Sequence, residues 1–528
     1  MVVNASSAGL GGIETLGALA ERAAARWEDK AGLIIDETGE RITYGEIERR
    51  SNGIAKALAE LGVEPGEKVA VMLRNGAEFP LTWLALARLG AAMVPINVFY
   101  KEFDAGYVVE HSGAKLAVTS SEFAPLIETV KSNVPDLKKV ASFDGGCGET
   151  IEMEESYEAP PAHAAPPESV SNIQYTSGTT GHPRGCMLSH GYWMRIARNN
   201  VGEPVPGLGE DDVMLTAQPF YYTDPQWNFV SSLASGAPLV VLDRFHPAAF
   251  WKKVREYGVT FFYCLGLMPT ALLKTPPSEL DREHRVRQIL CSAIPVHLHA
   301  DLERRWGAPW YEVYGTTETG GDLAVGTEDH DLMVGSGCVG RPRPHREARI
   351  VGEEGVPLAR GEVGELALRG MGLMDGYFRD REATDAAFEG GWFRTGDLAR
   401  MDAEGRVFYV GRKKEMIRRS GENISPAEVE DVLKLHPGVA AAACVPVPDE
   451  MRGEEVKAYV VAAGEADLDE ISSFCMERLA YFKVPRYWEY REELPLTPSE
   501  RVAKHVLVGE KQDLRDGAYD RVEGVWRR

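Results

Sequence analysis

The sequence predicts an α/β fold, with a large N-terminal domain built on parallel sheets and a small α+β C-terminal domain. Three observations lead there. The chain has 528 residues, room for about three units of roughly 150 residues each. Apolar runs of strand length alternate with helix-length stretches between Gly- or Pro-bounded turns, the pattern of parallel β-α-β packing. From Gly361 onward, short alternating runs punctuated by Gly and charged residues replace that pattern.

The elements follow in order. Thr43 and Glu46 form a T-x-x-E capping box, in which each side chain satisfies a free amide at a helix start. Ile47, Ile54, Leu58 and Leu61 then follow one helical face, and Gly62 supplies a stop. VAVML (69–73) reads as a buried strand, and PLVVL (238–242) as another. Pro247 suits the first position of a helix running to roughly Tyr257. TFFYCL (260–265) reads as the next strand, with a helix after Pro269. ELALRG (365–370) and GRVFYVGR (405–412) suggest antiparallel strands. Beyond GRKK (411–414) come a helix near Pro426, a strand AYVVA (458–462) and a helix from about Asp467 to Leu479. A domain boundary is expected at Arg412–Lys414, where the alternative is a surface turn. The segment EAPPAHAAPPE (158–168) reads as a linker, and no repeat of 20–50 residues is visible.

Composition narrows the function. Apolar residues make up 44% and charged residues 26%, ordinary for a globular enzyme. Lys and Arg number 58 against 80 Asp and Glu, a net charge of −22. That balance argues against nucleic acid as a partner, because phosphate backbones need a basic footprint. Any anionic ligand must be held by local groups. The seven cysteines are scattered without C-x-x-C, so neither a disulfide framework nor a zinc site is expected. The first residues lack the basic start and apolar run of a signal peptide. The best membrane-span candidate, Leu81 to Phe99, contains Arg88, so no integral membrane segment is expected. A cytoplasmic location is the default.

The densest signal is YTSGTTGHPRG (175–185), after the run SVSNIQ. Its glycines let the backbone turn sharply and approach a ligand. Thr176, Ser177, Thr179 and Thr180 add hydroxyl donors and Arg184 a cation, a set suited to polyphosphate. The string does not fit G-x-x-x-x-G-K-[ST]. It resembles instead the YTSGTTGxPKG hallmark of the adenylate-forming (AMP-binding) superfamily, which comprises acyl-CoA synthetases, peptide-synthetase adenylation domains and beetle luciferases. Arg184 stands where the lysine is usual, and keeps the charge. The resemblance continues in order through RLGAAMVPINVFY (88–100), QPFYY (218–222), YGTTE (314–318), GELALRG (364–370), WFRTGDLA (392–399), GRKKEMIRRSGENISPAEVE (411–430), YFKVPR (481–486) and LPLTPSERVAK (494–504).

The resemblance implies an N-terminal domain over 1–411 with parallel-sheet α/β subdomains and a small β-barrel-like subdomain. A hinge at 412–414 and a small mobile cap over 415–528 would follow. It implies an acid–thiol ligase of acyl-CoA synthetase type, using ATP, Mg²⁺ and coenzyme A on a small carboxylic acid; a homodimer stays open. Thr176, Ser177, Gly178, Thr179, Thr180, Gly181 and Arg184 would embrace the β- and γ-phosphates. Thr317 would lie near the α-phosphate, Glu318 would hold Mg²⁺ directly or through water, and Tyr314 would stack on adenine. Asp397 would accept from both ribose hydroxyls, with Arg412 reaching the same ribose. Lys414 matches the hinge position, and Gly421 the loop that meets pantetheine.

One motif departs from the pattern. The family's P-x-T-x-S-G-K, whose lysine contacts the substrate carboxylate and the α-phosphate, reads PLTPSERVAK here, so Glu500 and Arg501 replace Gly and Lys. Arg501 is the first candidate for the missing cation, since the task is electrostatic. Lys504 is the second, and a weakened adenylation step the third. The acyl pocket is expected beside FYYTDPQWN (220–228), CSAIP (291–295) and TGGD (319–322), with Tyr222, Asp224, Trp227, Ala293 and Gly320 lining it. An aromatic–acidic group of Tyr221, Tyr222, Trp227 and Asp224 suits a polar or cationic carboxylate such as a betaine- or carnitine-like acid. The alternative is that the aromatics are core and Asp224 caps a helix. Two other functions remain open: loading of a carrier-protein thiol or an amine, and nucleotide binding with impaired adenylation. With no carrier domain after Arg528, the free-standing ligase leads.

Overall fold

In the computed structural model the described residues are 9–152, 154–158, 165–176, 183–266, 268–419, 422–449, 451–464, 467–479, 481–497 and 501–527, with residues 422 and 423 described by backbone alone. A large N-terminal domain and a small C-terminal domain share a mixed α/β architecture.

Among the described residues the first sheet of the large domain has seven strands. Glu149–Thr150, Lys139–Ser142, Leu116–Thr119, Lys68–Met72, Ala92–Pro95 and Val170–Thr176 lie parallel, and Arg184–Ser189 closes the edge antiparallel to the last. The second sheet changes character along its length. Leu239–Val241, Met214–Thr216, Phe261–Leu265, Gln288–Ser292 and Trp310–Thr316 are parallel neighbours. Gly320–Ala324, Cys338–Pro342, Val407–Arg412, Trp392–Met401, Val363–Gly370 and Arg346–Val351 then continue it antiparallel. The expected change of pattern is present, but it begins at Gly320, earlier than Gly361, because the strands Gly320–Ala324, Cys338–Pro342 and Arg346–Val351 are already antiparallel.

Burial explains the difference. Phe261, Phe262, Tyr263 and Cys264 are all buried, because a parallel strand has helices on both faces and reads as an unbroken apolar run. Trp392–Met401 instead alternates between half-buried and buried residues along its whole length, one face packed inward and the other turned toward solvent. Trp83, Trp193, Phe220 and Phe229 belong to one buried cluster that bridges the two sheets.

Several local expectations coincide with the structure. The helix Tyr44–Glu60 carries the complete Thr43–Glu46 capping box and buries Ile47, Ile54 and Leu58. Pro247 is the first residue of the helix Pro247–Glu256. The helix near 269 begins at Met268 and holds Pro269 within its first turn, where no amide donor is required. The last strand of the large sheet ends at Arg412, and the sheet of the small domain begins with Ile417–Arg419. Among the described residues the small-domain sheet has seven strands and carries the helices Pro426–Lys434 and Leu468–Met476. Among the described residues no helix is long and apolar enough to cross a membrane.

Candidate active site

The YGTTE segment closes the strand Trp310–Thr316 and turns back into Gly320–Ala324. The hairpin is pinched: a Cβ on Gly315 would lie 1.8 Å from the Gly320 carbonyl oxygen, and Gly320 itself has φ +75°. Only glycine meets both demands. The turn is tied down from outside. Tyr192 Oη donates to the Thr317 carbonyl oxygen at 3.1 Å, and Arg346 donates to that of Thr319 at 2.8 Å. Arg346 also pairs with Asp322 at 2.6 Å, both side chains essentially without solvent exposure. Thr319 donates to the same carboxylate. Burial raises the Asp322 carboxyl to about 7 against the pull of Arg346.

Three separated motifs converge on Asp397. Tyr314 Oη donates to Asp397 Oδ2 at 2.6 Å, and Arg412 Nε lies 2.7 Å from Oδ1. Asp397 and Arg412 face each other across paired strands, so the sheet register sets their contact. Asp397 is 1% exposed and Arg412 38%. Burial pushes the Asp397 carboxyl up, against the pull of Arg412 and the Tyr314 hydroxyl. A carboxylate offers about four acceptor positions, so these two partners leave capacity for further donors.

Glu318 stands beside this group. Its Oε1 accepts from Tyr377 Oη at 3.1 Å. Its carbonyl oxygen accepts from Met374 N at 2.7 Å, which ties the YGTTE turn to the segment 371–377. Tyr377 also bridges backbone to backbone with Cys186, and its ring lies 5.5 Å from the Arg184 guanidinium. Arg184 pairs with Asp380 at 3.4 Å and sits opposite Thr176 across the hairpin. The ends of the 175–185 motif, Glu318 and Tyr377 therefore form one connected group. Ser177, Gly178, Thr179, Thr180 and Gly181 lie outside the described residues, as do Gly421 and Glu500. A half-buried carboxylate with one oxygen held by a neutral hydroxyl fits a magnesium ligand, since Mg²⁺ prefers one or two carboxylates together with water and phosphate oxygens.

The pocket-side residues lie on the helix Thr223–Ser235 and its neighbours. Tyr222 precedes this helix and accepts from Asn97 Nδ2 at 3.3 Å. Trp227 packs edge-on against Tyr263 at 5.3 Å between ring centroids, and Tyr263 Oη donates to Ser292 Oγ at 2.8 Å. Ala293 follows directly, exposed and with φ 65°. Gly320 sits against Tyr192 and Ile196. The core alternative holds for Tyr221, 4% exposed. Helix capping by Asp224 does not hold: Tyr222 is the capping position, and Asp224 lies within the first turn.

The positive charge of Arg501 reaches two carboxyls. It pulls down the carboxyls of Asp224 and Asp397, and burial still raises Asp224 to about 6. Arg501 is exposed and its backbone is fixed by Thr497, whose Oγ1 accepts from Arg501 N at 3.1 Å. Lys504, the second candidate cation, is engaged elsewhere, 2.8 Å from Glu430 and 3.2 Å from Glu415. Lys414 is exposed just beyond the last strand of the large sheet. A separate cluster of His299, Glu303 and His330 has metal-ligand composition. Protein groups engage its ring nitrogens: His299 meets Trp310 O and Gly335 N, and His330 meets Glu303 and Asp331. Sequence reading missed Tyr377, Tyr263, Asn97 and Arg346, because their partners lie far away along the chain.

Known proteins match this chain over more than nine-tenths of its length. Residues 20–378 match the model of the AMP-binding enzyme family, and residues 428–501 that of the AMP-binding enzyme C-terminal domain. The chain is 31% identical over 508 residues to a crotonobetaine/carnitine–CoA ligase of Escherichia coli O8 (strain IAI1), covering 91% of this chain and 98% of the ligase. It superposes with a TM-score of 0.83 on the o-succinylbenzoate CoA synthetase MenE of Bacillus subtilis in complex with its acyl-adenylate intermediate, at 26% identity over 93% of this chain and 97% of that one. ATP-bound MatB from Rhodopseudomonas palustris gives 0.82 at 27% identity, covering 94% and 99%.

Proposed function

Because the chain belongs to the AMP-binding enzyme family and is an acid–thiol ligase of acyl-CoA synthetase type, we propose that it joins a carboxylic acid bearing a cationic or strongly polar group to coenzyme A, at the expense of ATP. In the first half-reaction the acid's carboxylate oxygen attacks the α-phosphorus of ATP, and pyrophosphate leaves with the electron pair of the broken P–O bond. In the second, the thiol sulfur attacks the acyl carbon and AMP departs. An anion attacks an anion in the first half, so charge neutralisation and positioning supply most of the catalysis.

The observation that carries this reading is the Asp397 group, where Tyr314 Oη and Arg412 Nε meet one buried carboxylate at 2.6 and 2.7 Å; the charge of Arg501, which favours the ionised forms of Asp397 and Asp224, supports it. Such a cation can bridge the substrate carboxylate and the α-phosphate, and Arg501 takes that role in place of the family lysine. Asp397 and Arg412 hold the ribose, and the Tyr314 ring stacks on adenine. Thr176, the 177–181 segment and Arg184 hold the β- and γ-phosphates, with Thr317 at the α-phosphate. Glu318 would hold Mg²⁺, which supplies neutralisation of phosphate charge when bound. Residues 1–411 and 415–528 form the two domains, 412–414 the hinge with Lys414, and Gly421 meets the pantetheine arm once the small domain has turned. The reaction runs in the cytoplasm.

Asp224 with Tyr222 and Trp227 offers a carboxylate and aromatic faces, chemistry that receives a quaternary ammonium. The name of the crotonobetaine/carnitine–CoA ligase supports that choice. Ala293 and Gly320 complete the pocket wall. The test is AMP release from a panel of acids, with and without coenzyme A. Thiol-dependent AMP release favouring trimethylammonium acids supports the proposal. Preference for uncharged acids overturns the substrate class, and release that depends on an amine or a carrier protein overturns the ligation to coenzyme A.

A further inference from the structure

The segment 176–184 is entered from Tyr175 and left through Pro183 and Arg184, and one helix meets it at both ends. The helix Glu102–Ser112 carries Tyr107 and His111 one turn apart on the same face. Tyr107 Oη donates to the Pro183 carbonyl oxygen at 3.2 Å. Tyr175 Oη lies 2.7 Å from His111 Nδ1, a hydrogen bond in either tautomer of a neutral imidazole. Burial and the Arg379 guanidinium hold the His111 pKa below 6.5, so the ring is neutral at pH 7. Burial pushes the Tyr175 phenol up, and it keeps its proton.

The rings stiffen this grip. Tyr107 and His111 stack with centroids 5.4 Å apart, and the Tyr175 ring stands edge-on to both. Tyr175 is 7% exposed and sits opposite Gly185 across the strands Val170–Thr176 and Arg184–Ser189. A Cβ on Gly185 would lie 3.2 Å from Tyr175 Cζ, so glycine leaves room for the ring.

The helix is itself anchored. Arg379 donates to the His111 carbonyl oxygen at 2.9 Å, at a helix C-terminus where a cation is favoured. Arg379 has φ 55°, left-handed backbone that a residue with a Cβ rarely adopts. Such strain persists only where the surroundings over-determine it. Beside it, Phe378 N donates to the Gly185 carbonyl oxygen at 2.8 Å, and Asp380 pairs with Arg184 at 3.4 Å. The helix, the strand pair and residues 378–380 thus close a circuit of contacts around the two ends of the motif.

We propose that Tyr107, His111 and Tyr175 form a brace that holds both ends of the 176–184 segment, which makes them positioning residues for the ATP phosphates. This rests on the reading of that segment as the phosphate-binding loop given above. Fixing both ends leaves fewer backbone conformations to compete with the one that binds. A ligand that needs a conformation populated only in part has its affinity reduced by that fraction. Loss of one anchor therefore weakens ATP binding and leaves turnover at saturating ATP unchanged.

The experiment compares wild type with Tyr107→Phe and Tyr175→Phe, which keep the packed rings and delete one hydroxyl each. In each variant the KM for ATP is expected to rise about fivefold, the equivalent of about 1 kcal/mol. Meanwhile kcat and the KM values for the acid and coenzyme A stay within about twofold. Amide hydrogen exchange in 176–185 without nucleotide should quicken by about the same fivefold, because it reads the same population. A KM for ATP within about twofold of wild type overturns the proposal, whatever the exchange shows. So does a rise in all three KM values with a lowered kcat, which marks general loss of structure. A raised KM for ATP with unchanged exchange also overturns it, because the hydroxyls then act on the nucleotide directly. The functional reading is checked apart, by whether ATP slows exchange in 176–185 of the wild type. If ATP does not, the phosphate-loop reading fails, and the exchange of the variants against wild type alone decides whether the brace exists.

Discussion

Asp397→Asn separates what holds the site together from what binds nucleotide. The wild-type carboxylate is 1% exposed and meets Arg412 at 2.7 Å and Tyr314 Oη at 2.6 Å. Breaking a fully buried pair by removing one partner costs about 3–5 kcal/mol. Arg412 is 38% exposed, so water shares its charge and the lower figure of about 2–3 kcal/mol applies. Urea unfolding should report that loss as a lowered midpoint with unchanged slope. Replacing both partners, Asp397→Asn with Arg412→Met, removes the stranded cation and should recover most of the stability. It should not recover nucleotide binding, because ribose has then lost its acceptor and its cation. ATP–pyrophosphate exchange and equilibrium ATP binding are the assays. An unshifted midpoint in Asp397→Asn would show that the pair contributes no stability, and wild-type ATP affinity in the double variant would remove both residues from the ribose site.

Three further outcomes are expected. Arg501→Ala should slow ATP–pyrophosphate exchange by about a hundredfold or more and Arg501→Lys by less than about tenfold, on the scale of a lost electrostatic stabiliser; Lys504→Ala, which removes pairs to Glu430 and Glu415, should lower the unfolding midpoint instead, and the reverse pattern would make Lys504 the working cation. Asp224→Asn should lower kcat/KM for trimethylammonium acids by about tenfold relative to uncharged acids of the same length, as expected for loss of a charge partner worth about 1–2 kcal/mol, and an unchanged ratio would exclude Asp224 from recognition. His330 gives a pH signature: burial alone would lower its pKa, but Glu303 and Asp331 raise it above 6.5. Its stabilisation is therefore fully present below pH 6.5 and lost as pH rises through the folded value. His330→Gln should flatten the decline in stability on the alkaline side, measured by urea midpoints from about pH 6 to 9, and an unaltered profile would refute the assignment.

The order of motifs, the capping box at Thr43 and Glu46 and the helix start at Pro247 were legible in the sequence, and so was a change from parallel to antiparallel strands, though not its start at Gly320. Each depends on residues close together along the chain or on the period of a single element, which composition and spacing record directly. Asp397, Arg412 and Tyr314 could be named from motifs, but nothing in the linear order says that one hydroxyl and one guanidinium would occupy opposite oxygens of the same carboxylate; strand register decided that. The choice between Arg501 and Lys504 depends on the fold for the same reason. Both are cations three residues apart, and folding pairs Lys504 with Glu430 while the charge of Arg501 reaches Asp224 and Asp397.

The sequence alone determined the family of chemistry and the elements that deliver it, because phosphate-binding loops and strand or helix periods are local patterns. Tertiary structure alone decided the partners. Arg346 lies 27 positions from Thr319, and Tyr377 lies 59 from Glu318. Hydrogen bonds act over about 3 Å of space, and distance in space is set by sheet pairing and helix packing, which leave no spacing rule in the chain.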